Sequence, residues 1–307
     1  MDTTSEFSED LVALFPGQGS LGERAGVAWL TSANWDVVAR VSDVSDTDVE
    51  RLLCVAGADE VVRTDNAQLA TFALSMVGYL DLVDQGVRPR YLLGHSLGEY
   101  GALVASGLLT LEEGARLISV RGRAMARAAL HQDGTMVALM GAGPGAREAL
   151  DDLENVWVAN INGSDQIVVS GTRAALGELV ATHRALGWRR ASPLAVGGAF
   201  HSPLMSSAQV ELDRALAQAN WGTTDQVIIS NVDGRRHASS HEWRKLLSEQ
   251  LTSPIEFLRA TEALPNVVRR SVEAPPGTVL SGLTKRIRSF DHQYTPASPL
   301  EVEEITP

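Results

Sequence analysis

The sequence predicts an α/β fold with a mainly parallel sheet, interrupted by a smaller inserted ferredoxin-like unit. Three observations predict it. Short apolar strand runs alternate with long helical stretches over the first 130 residues or so; the texture then changes near Thr135 to short strands and helices; and the strand-helix alternation returns after about residue 200. Leu11 to Phe15 is a buried strand, and Pro16-Gly17-Gln18-Gly19-Ser20 a tight loop after it. Helical periodicity dominates to about Gln85, clearest from Leu69 to Leu80. Tyr91-Leu92-Leu93 is the next strand, and Glu99 to Ala105 a helix close behind it.

In the middle, strand Met136 to Met140, helix Ala146 to Leu153, strands Val156 to Ile161 and Gln166 to Ser170, helix Arg173 to Leu186 and strand Arg190 to Val196 give the order β-α-β-β-α-β. A helix from about Ser206, a strand Gln226 to Ser230, a helix around Trp243 to Leu251 and a βα unit from Ser271 to Ile287 follow. The expected organisation is a discontinuous large unit, 1–132 with 198–290, a small unit 133–197, and a disordered tail, 291–307, rich in proline and acid.

Composition narrows the function. With 38 acidic against 26 basic side chains the net charge is −12, which argues against general binding of nucleic acid through its phosphates. The single cysteine, Cys54, excludes an internal disulfide and a cysteine-only zinc site and fits a reducing compartment. Met1 to Asp10 is acidic and lacks an apolar core, and no stretch is apolar enough to span a bilayer, so a cytoplasmic protein without membrane contact is expected.

Between strand and helix lies Gly94-His95-Ser96-Leu97-Gly98-Glu99. Glycines on both sides of a serine at a strand-to-helix turn allow a strained elbow that presents the hydroxyl at the strand's carboxyl end, above the first N–H groups of a helix. Covalent acyl chemistry is the natural use of such a serine, and it requires a base and an oxyanion site. His201, in the small-residue loop Gly197-Gly198-Ala199-Phe200-His201-Ser202-Pro203, sits where the two units should meet and is the candidate base. His95 should point to the opposite side of the elbow, while the remaining histidines lie in polar, surface-like stretches. The backbone N–H groups of Leu97 and of Gln18 are the candidate oxyanion donors.

Arg121 is placed by helix arithmetic. From Ser96 to Ser106 the elbow helix rises roughly 15 Å at about 1.5 Å per residue, Gly107 to Leu109 turns the chain, and a second helix capped by Thr110 returns level with the serine at Arg121. Following the apolar run Leu117 to Val120, its guanidinium is expected to be partly buried and in need of an anion, either a substrate carboxylate or a protein acid in a structural salt bridge.

Taken in order, Phe15 to Ser20, Gly94 to Tyr100, Val120-Arg121-Gly122, Asn160 to Asn162, Ala199 to Pro203, Ser230-Asn231-Val232, Gln250 to Pro254 and Gly277 to Leu283 resemble the malonyl-CoA:acyl carrier protein transacylase family, which includes freestanding polyketide synthase acyltransferases. The resemblance runs from about residue 11 to 290, is poor between Gly22 and Asn66, and implies an α/β-hydrolase-like core for the large unit. It further implies that Ser96 is acylated and His201 is its base, oriented by the backbone carbonyl of Gln250. Gln18 and Leu97 would supply the oxyanion hole, Arg121 would bind the malonyl carboxylate, and Ala199, Phe200, Asn160, Asn162 and Asn231 would form the substrate pocket. Phe200 would crowd an α-substituent.

The implied reaction needs no permanently bound cofactor and no metal. Malonyl-CoA is the donor, and the phosphopantetheine thiol of an acyl carrier protein is the acceptor, with the enzyme expected to be a monomer. Carrier docking is expected on a local basic surface, with Arg189, Arg190, Lys285, Arg286 and Arg288 as candidates. Alternatives are an acyl hydrolase of the same fold, a carrier-to-carrier transferase for larger acyl groups, and an α/β-hydrolase thioesterase. Arg121 argues against the first two, which bind no carboxylate. The absence of a His-Gly-Gly loop and the hundred or so residues after His201 argue against the third.

Overall fold

A computed structural model describes residues 7–306. Ten strands form two sheets. β1 (Ser8–Phe15), β2 (Pro89–Gly94), β7 (Val227–Ile229), β8 (Arg236–His237), β9 (Arg270–Glu273) and β10 (His292–Tyr294) make a six-stranded sheet in the order β10-β9-β1-β2-β7-β8. β8 alone in this sheet runs antiparallel to its neighbour. β3 (Gly134–Ala142), β4 (Val156–Gly163), β5 (Gln166–Thr172) and β6 (Trp188–Pro193) make an antiparallel sheet in the order β4-β5-β3-β6. That order is the one expected when a split βαβ unit folds.

The central strands of the large sheet are apolar on both faces because helices cover both sides. Leu11, Val12, Ala13, Leu14 and Phe15 are all buried, as are Leu92 and Leu93 beside them. Register sets the site. Phe15 pairs with Gly94 and Leu93 with Ile229, so the loops after β1, β2 and β7 leave the sheet side by side. One hydrogen bond, from His95 N–H to the Phe15 carbonyl at 3.0 Å, ties the first two loops together. The small sheet is also tied through the backbone to the segment after helix Ser240–Glu249: Ile161 N–H donates to the Ile255 carbonyl and Ile255 N–H to the Ala159 carbonyl, each at 2.8 Å.

Two expectations fail locally. The helix read over 146–153 is only a single 3-10 turn, Glu148–Leu150. Gly143, Pro144 and Gly145, the last at φ 74°, disfavour a regular helix start, and the apolar anchor Leu150 is buried beneath the small sheet without one. The tail read as disordered is instead folded. β10 adds to the open edge of β9, and Val302 and Ile305 are buried. Its proline and acid content signals poor self-association, but an unpaired sheet edge and two apolar anchors outweigh that bias. No helix among the described residues is long and apolar enough to cross a membrane.

Candidate active site

The elbow is built by close approach. A Cβ on Gly94 would stand 2.1 Å from the Gly98 carbonyl carbon, and one on Gly98 would stand 1.9 Å from the Phe15 carbonyl oxygen. Only glycine fits either place. Ser96 between them adopts φ 53°, a left-handed conformation that costs a non-glycine residue on the order of 1–3 kcal/mol. Asn231, from the loop after β7, offsets that cost: its Oδ1 accepts from Ser96 N–H at 2.6 Å and its Nδ2 donates to the Gly94 carbonyl at 2.7 Å.

The hydroxyl so presented meets an imidazole. Ser96 Oγ lies 2.8 Å from His201 Nε2, and His201 Nδ1 lies 2.7 Å from the Gln250 backbone carbonyl. A carbonyl can only accept, so Nδ1 carries the ring proton and Nε2 offers its lone pair to the serine. Burial, aided by the nearby Arg121 guanidinium, pushes His201 down to about 3, so the ring is neutral at physiological pH. Among the described residues no carboxylate orients the ring; a backbone carbonyl does.

Arg121 is only 1% exposed. Its Nη2 donates to Ser96 Oγ and to Gln250 Oε1, both at 3.0 Å, and its Nη1 donates to Gln68 Oε1 at 2.7 Å. No described residue makes a salt bridge with it, so the structural salt bridge weighed from sequence is absent and the cation is held by neutral acceptors. Its face lies 5.6 Å from the Tyr100 ring centroid. A buried guanidinium without an ion partner favours an anionic ligand.

A cavity of about 370 Å³ opens over Ser96 and His201, with Arg121 buried behind them and outside its wall. Gln18, His95, Ser96 and His201 line it from the large sheet's loops, and Asn160, Asn162, Met136, Val168, Leu194 and Phe200 from the side of the small sheet. Leu97 is buried behind Ser96 at the start of helix Gly98–Ala105. Among the described residues no loop or side-chain acceptor takes the amide N–H of Gln18 or Leu97.

Two residues expected in the pocket lie elsewhere. Asn231 is fully buried beneath the elbow as its clamp, and Ala199 is buried against Gly134, outside the cavity wall. His95 departs from its expected direction: it lines the cavity, with Nε2 2.9 Å from Asn162 Oδ1 and its ring against Phe257. Of the basic candidates, Arg288 is committed to the carbonyls of Leu264, Pro265 and Val268, while Arg189, Arg190, Lys285 and Arg286 are exposed. Gln68 and Glu99 went unread as site residues. The available signal was a polar side chain inside an otherwise apolar helical run. Among the described residues no group of three or more histidines, cysteines and acids could hold a metal.

A family model described as the acyl transferase domain matches residues 12–306. The malonyl CoA-acyl carrier protein transacylase of Staphylococcus aureus strain MRSA252 is 31% identical over 300 residues, covering 94% of this chain and 95% of its own. The crystal structure of MCAT from Mycobacterium tuberculosis superposes with a TM-score of 0.90 at 30% identity, covering 96% of this chain and 98% of its own. A malonyl-transacylase in complex with its type II polyketide synthase acyl-carrier protein superposes with a TM-score of 0.90 at 29% identity, covering 95% and 97%.

Proposed function

The chain belongs to the acyl transferase domain family, and from that premise we propose that it moves a malonyl group from coenzyme A to acyl carrier protein by way of an ester on Ser96. Such transfer feeds fatty-acid or polyketide synthesis. One observation carries the reading: a single oxygen, Ser96 Oγ, lies 2.8 Å from a neutral imidazole nitrogen and 3.0 Å from a buried guanidinium, beside a cavity.

The chemistry follows from those atoms. His201 Nε2 takes the hydroxyl proton as Ser96 Oγ attacks the thioester carbon, and the carbonyl oxygen becomes an oxyanion against the N–H groups of Gln18 and Leu97. As the intermediate collapses, the C–S bond breaks and the imidazolium returns its proton to the departing CoA thiolate. The Nδ1 hydrogen bond to Gln250 holds the ring through both transfers, with a carbonyl in place of the usual carboxylate. The malonyl carboxylate takes the Arg121 donor now given to Ser96 Oγ and forms the ion pair this cation lacks, while Gln250 Oε1 and Gln68 Oε1 keep the guanidinium in place. The thiol of a carrier-borne phosphopantetheine then enters, gives its proton to His201 and takes the acyl group by the reverse sequence, a ping-pong scheme with no bound cofactor or metal. Nucleophile, base and arginine all come from one chain, so a monomer suffices. The unit 133–197 serves as the far wall of the cleft, and a carrier of acidic surface would meet Arg189, Arg190, Lys285 and Arg286.

Intact-protein mass spectrometry after mixing with malonyl-CoA tests the scheme. The expected result is one malonyl adduct that Ser96→Ala abolishes and that added holo carrier protein discharges. A wild-type protein that takes up no acyl group, or an adduct persisting in Ser96→Ala, would overturn it.

A further inference from the structure

The buried acid Glu99 takes no part in the scheme above, yet it sits one residue into the elbow helix and is fully buried. Its two oxygens do different work. Oε1 accepts from the backbone N–H of Asn231 and Oε2 from Nε2 of Gln250, both at 2.6 Å. Gln250 in turn touches the serine residue, the imidazole and the guanidinium. Its Nε2 also donates to the Ser96 carbonyl at 3.0 Å, its Oε1 accepts from Arg121 Nη2 at 3.0 Å, and its backbone carbonyl accepts from His201 Nδ1 at 2.7 Å.

We infer that Glu99 is a positioning residue for acyl selection, fixing which way round the Gln250 amide lies and thereby aiming the Arg121 guanidinium at the acyl carboxylate. An amide has one accepting and one donating end, and the wrong orientation would set the Gln250 NH2 against the guanidinium, donor facing donor. Burial pushes the Glu99 carboxyl up to about 7, but both of its oxygens accept from N–H donors and so favour the ionised form, whose contact with the Gln250 NH2 is the strongest of those that hold it away from Arg121. Position 99 must accept twice, from a backbone N–H that cannot turn away and from the Gln250 NH2. A carboxylate does this, whereas a glutamine of nearly the same shape offers one acceptor and one donor. With glutamine at 99, either the Gln250 amide turns over or two buried donors face each other.

This inference rests on the roles proposed for Ser96 and Arg121, which the wild-type malonyl adduct tests separately. The experiment measures the acylation rate with malonyl-CoA and with acetyl-CoA, which has no carboxylate to bind, in Glu99→Gln and Glu99→Asp. In Glu99→Gln the malonyl-over-acetyl preference should fall about 10- to 100-fold, and Glu99→Asp, which keeps two acceptors, should retain more of it. A folded Glu99→Gln enzyme that keeps the wild-type preference, or loses both rates in equal proportion, would overturn the inference.

Gln250→Ala, which keeps the backbone carbonyl for His201 but removes the amide, should lower the preference by a similar factor. It carries the test if Glu99→Gln does not fold, and an unchanged preference there overturns the inference equally. Where both variants fold, Glu99→Gln should lower the preference no further in the Gln250→Ala background; a full additional loss would show that Glu99 acts by another route.

Discussion

Around the serine the two walls of the cleft are built on different principles, although Met125, Leu280 and Leu283 also bring apolar side chains to the cavity from the large unit. On the large-sheet side the groups around the serine form a connected set of hydrogen bonds: Asn231 clamps the elbow, Gln250 bridges Ser96, His201 and Arg121, and Gln68 takes Nη1 of Arg121, whose Nε has no partner among the described residues. The small-sheet wall is mostly apolar, with Met136, Val168, Leu194 and Phe200 facing the cavity and Asn160 and Asn162 as its polar points. Hydrogen bonds fix angle and distance, while apolar contact fixes volume only. In the proposed scheme the reaction belongs to the first wall and the shape of the acyl arm to the second, and the His95–Asn162 contact joins the two. Substitutions on the first wall should change chemistry or folding by large factors, and those on the second should change binding by small ones.

His201→Ala gives the largest expected loss, about 10²- to 10⁴-fold in the acylation rate, because it removes the proton acceptor and leaves the nucleophile in place. A rate within about threefold of wild type in a stopped-flow assay would break the division at its strongest point. The same residue makes a pH prediction. Its imidazole, ordinarily near 6.5, is pushed down to about 3 by burial and by Arg121. The NMR signals of the ring should therefore remain those of the neutral, Nδ1-protonated form from about pH 8 to about pH 5. In the unfolded chain the ring takes up a proton below about 6.5, so its contribution to stability is present above that pH and is lost as pH falls towards 3. Replacing it should flatten that part of the stability profile measured by denaturant titration.

Arg121→Ala comes next. Malonyl transfer should fall about 100-fold, with acetyl transfer much less affected, since a bidentate charge-assisted pair with the carboxylate is lost. Competition between the two thioesters, read by mass spectrometry, checks it. Asn231→Ala tests the wall as a scaffold. Removing two buried hydrogen bonds from a strained turn should cost on the order of 2–3 kcal/mol of stability. Urea unfolding measures the loss, and a stability unchanged within error would show that the elbow holds its own conformation.

The difference between the walls also decided what could be read from sequence. Ser96, His201 and Arg121 were legible because local rules place them: a glycine-flanked serine between strand and helix, a histidine in a small-residue loop, and an arginine set by two helix lengths. The small unit was legible from its β-α-β-β-α-β succession, although its first and last strands, β3 and β6, pair directly. Asn231, Glu99 and Gln68 depend on pairings across the fold, such as Asn231 with Gly94, and no periodicity encodes them. Asn231 sat in a recognisable stretch but was read as pocket, because a polar residue near a site looks the same whether it faces substrate or backbone. The tail failed for a related reason. Its composition describes the segment alone, whereas its order comes from the free edge of β9.

Leu194 on the apolar wall supplies the smallest effect and the sharpest contrast. It follows β6 and faces the cavity; its backbone N–H donates to the Met136 carbonyl at 3.0 Å and its carbonyl accepts from Val196 N–H at 2.9 Å. Leu194→Ala leaves those backbone bonds intact and removes only side-chain volume. The lost contact should raise KM for the acyl donor by a few-fold, about 1 kcal/mol of apolar surface, and leave the single-turnover rate at saturation unchanged. A KM effect without a rate effect is the signature of binding that is equal in ground and transition states. If Leu194→Ala instead lowered the saturated rate as strongly as Arg121→Ala, the apolar wall would be positioning the thioester for attack, and the division of labour between the two sheets would fail.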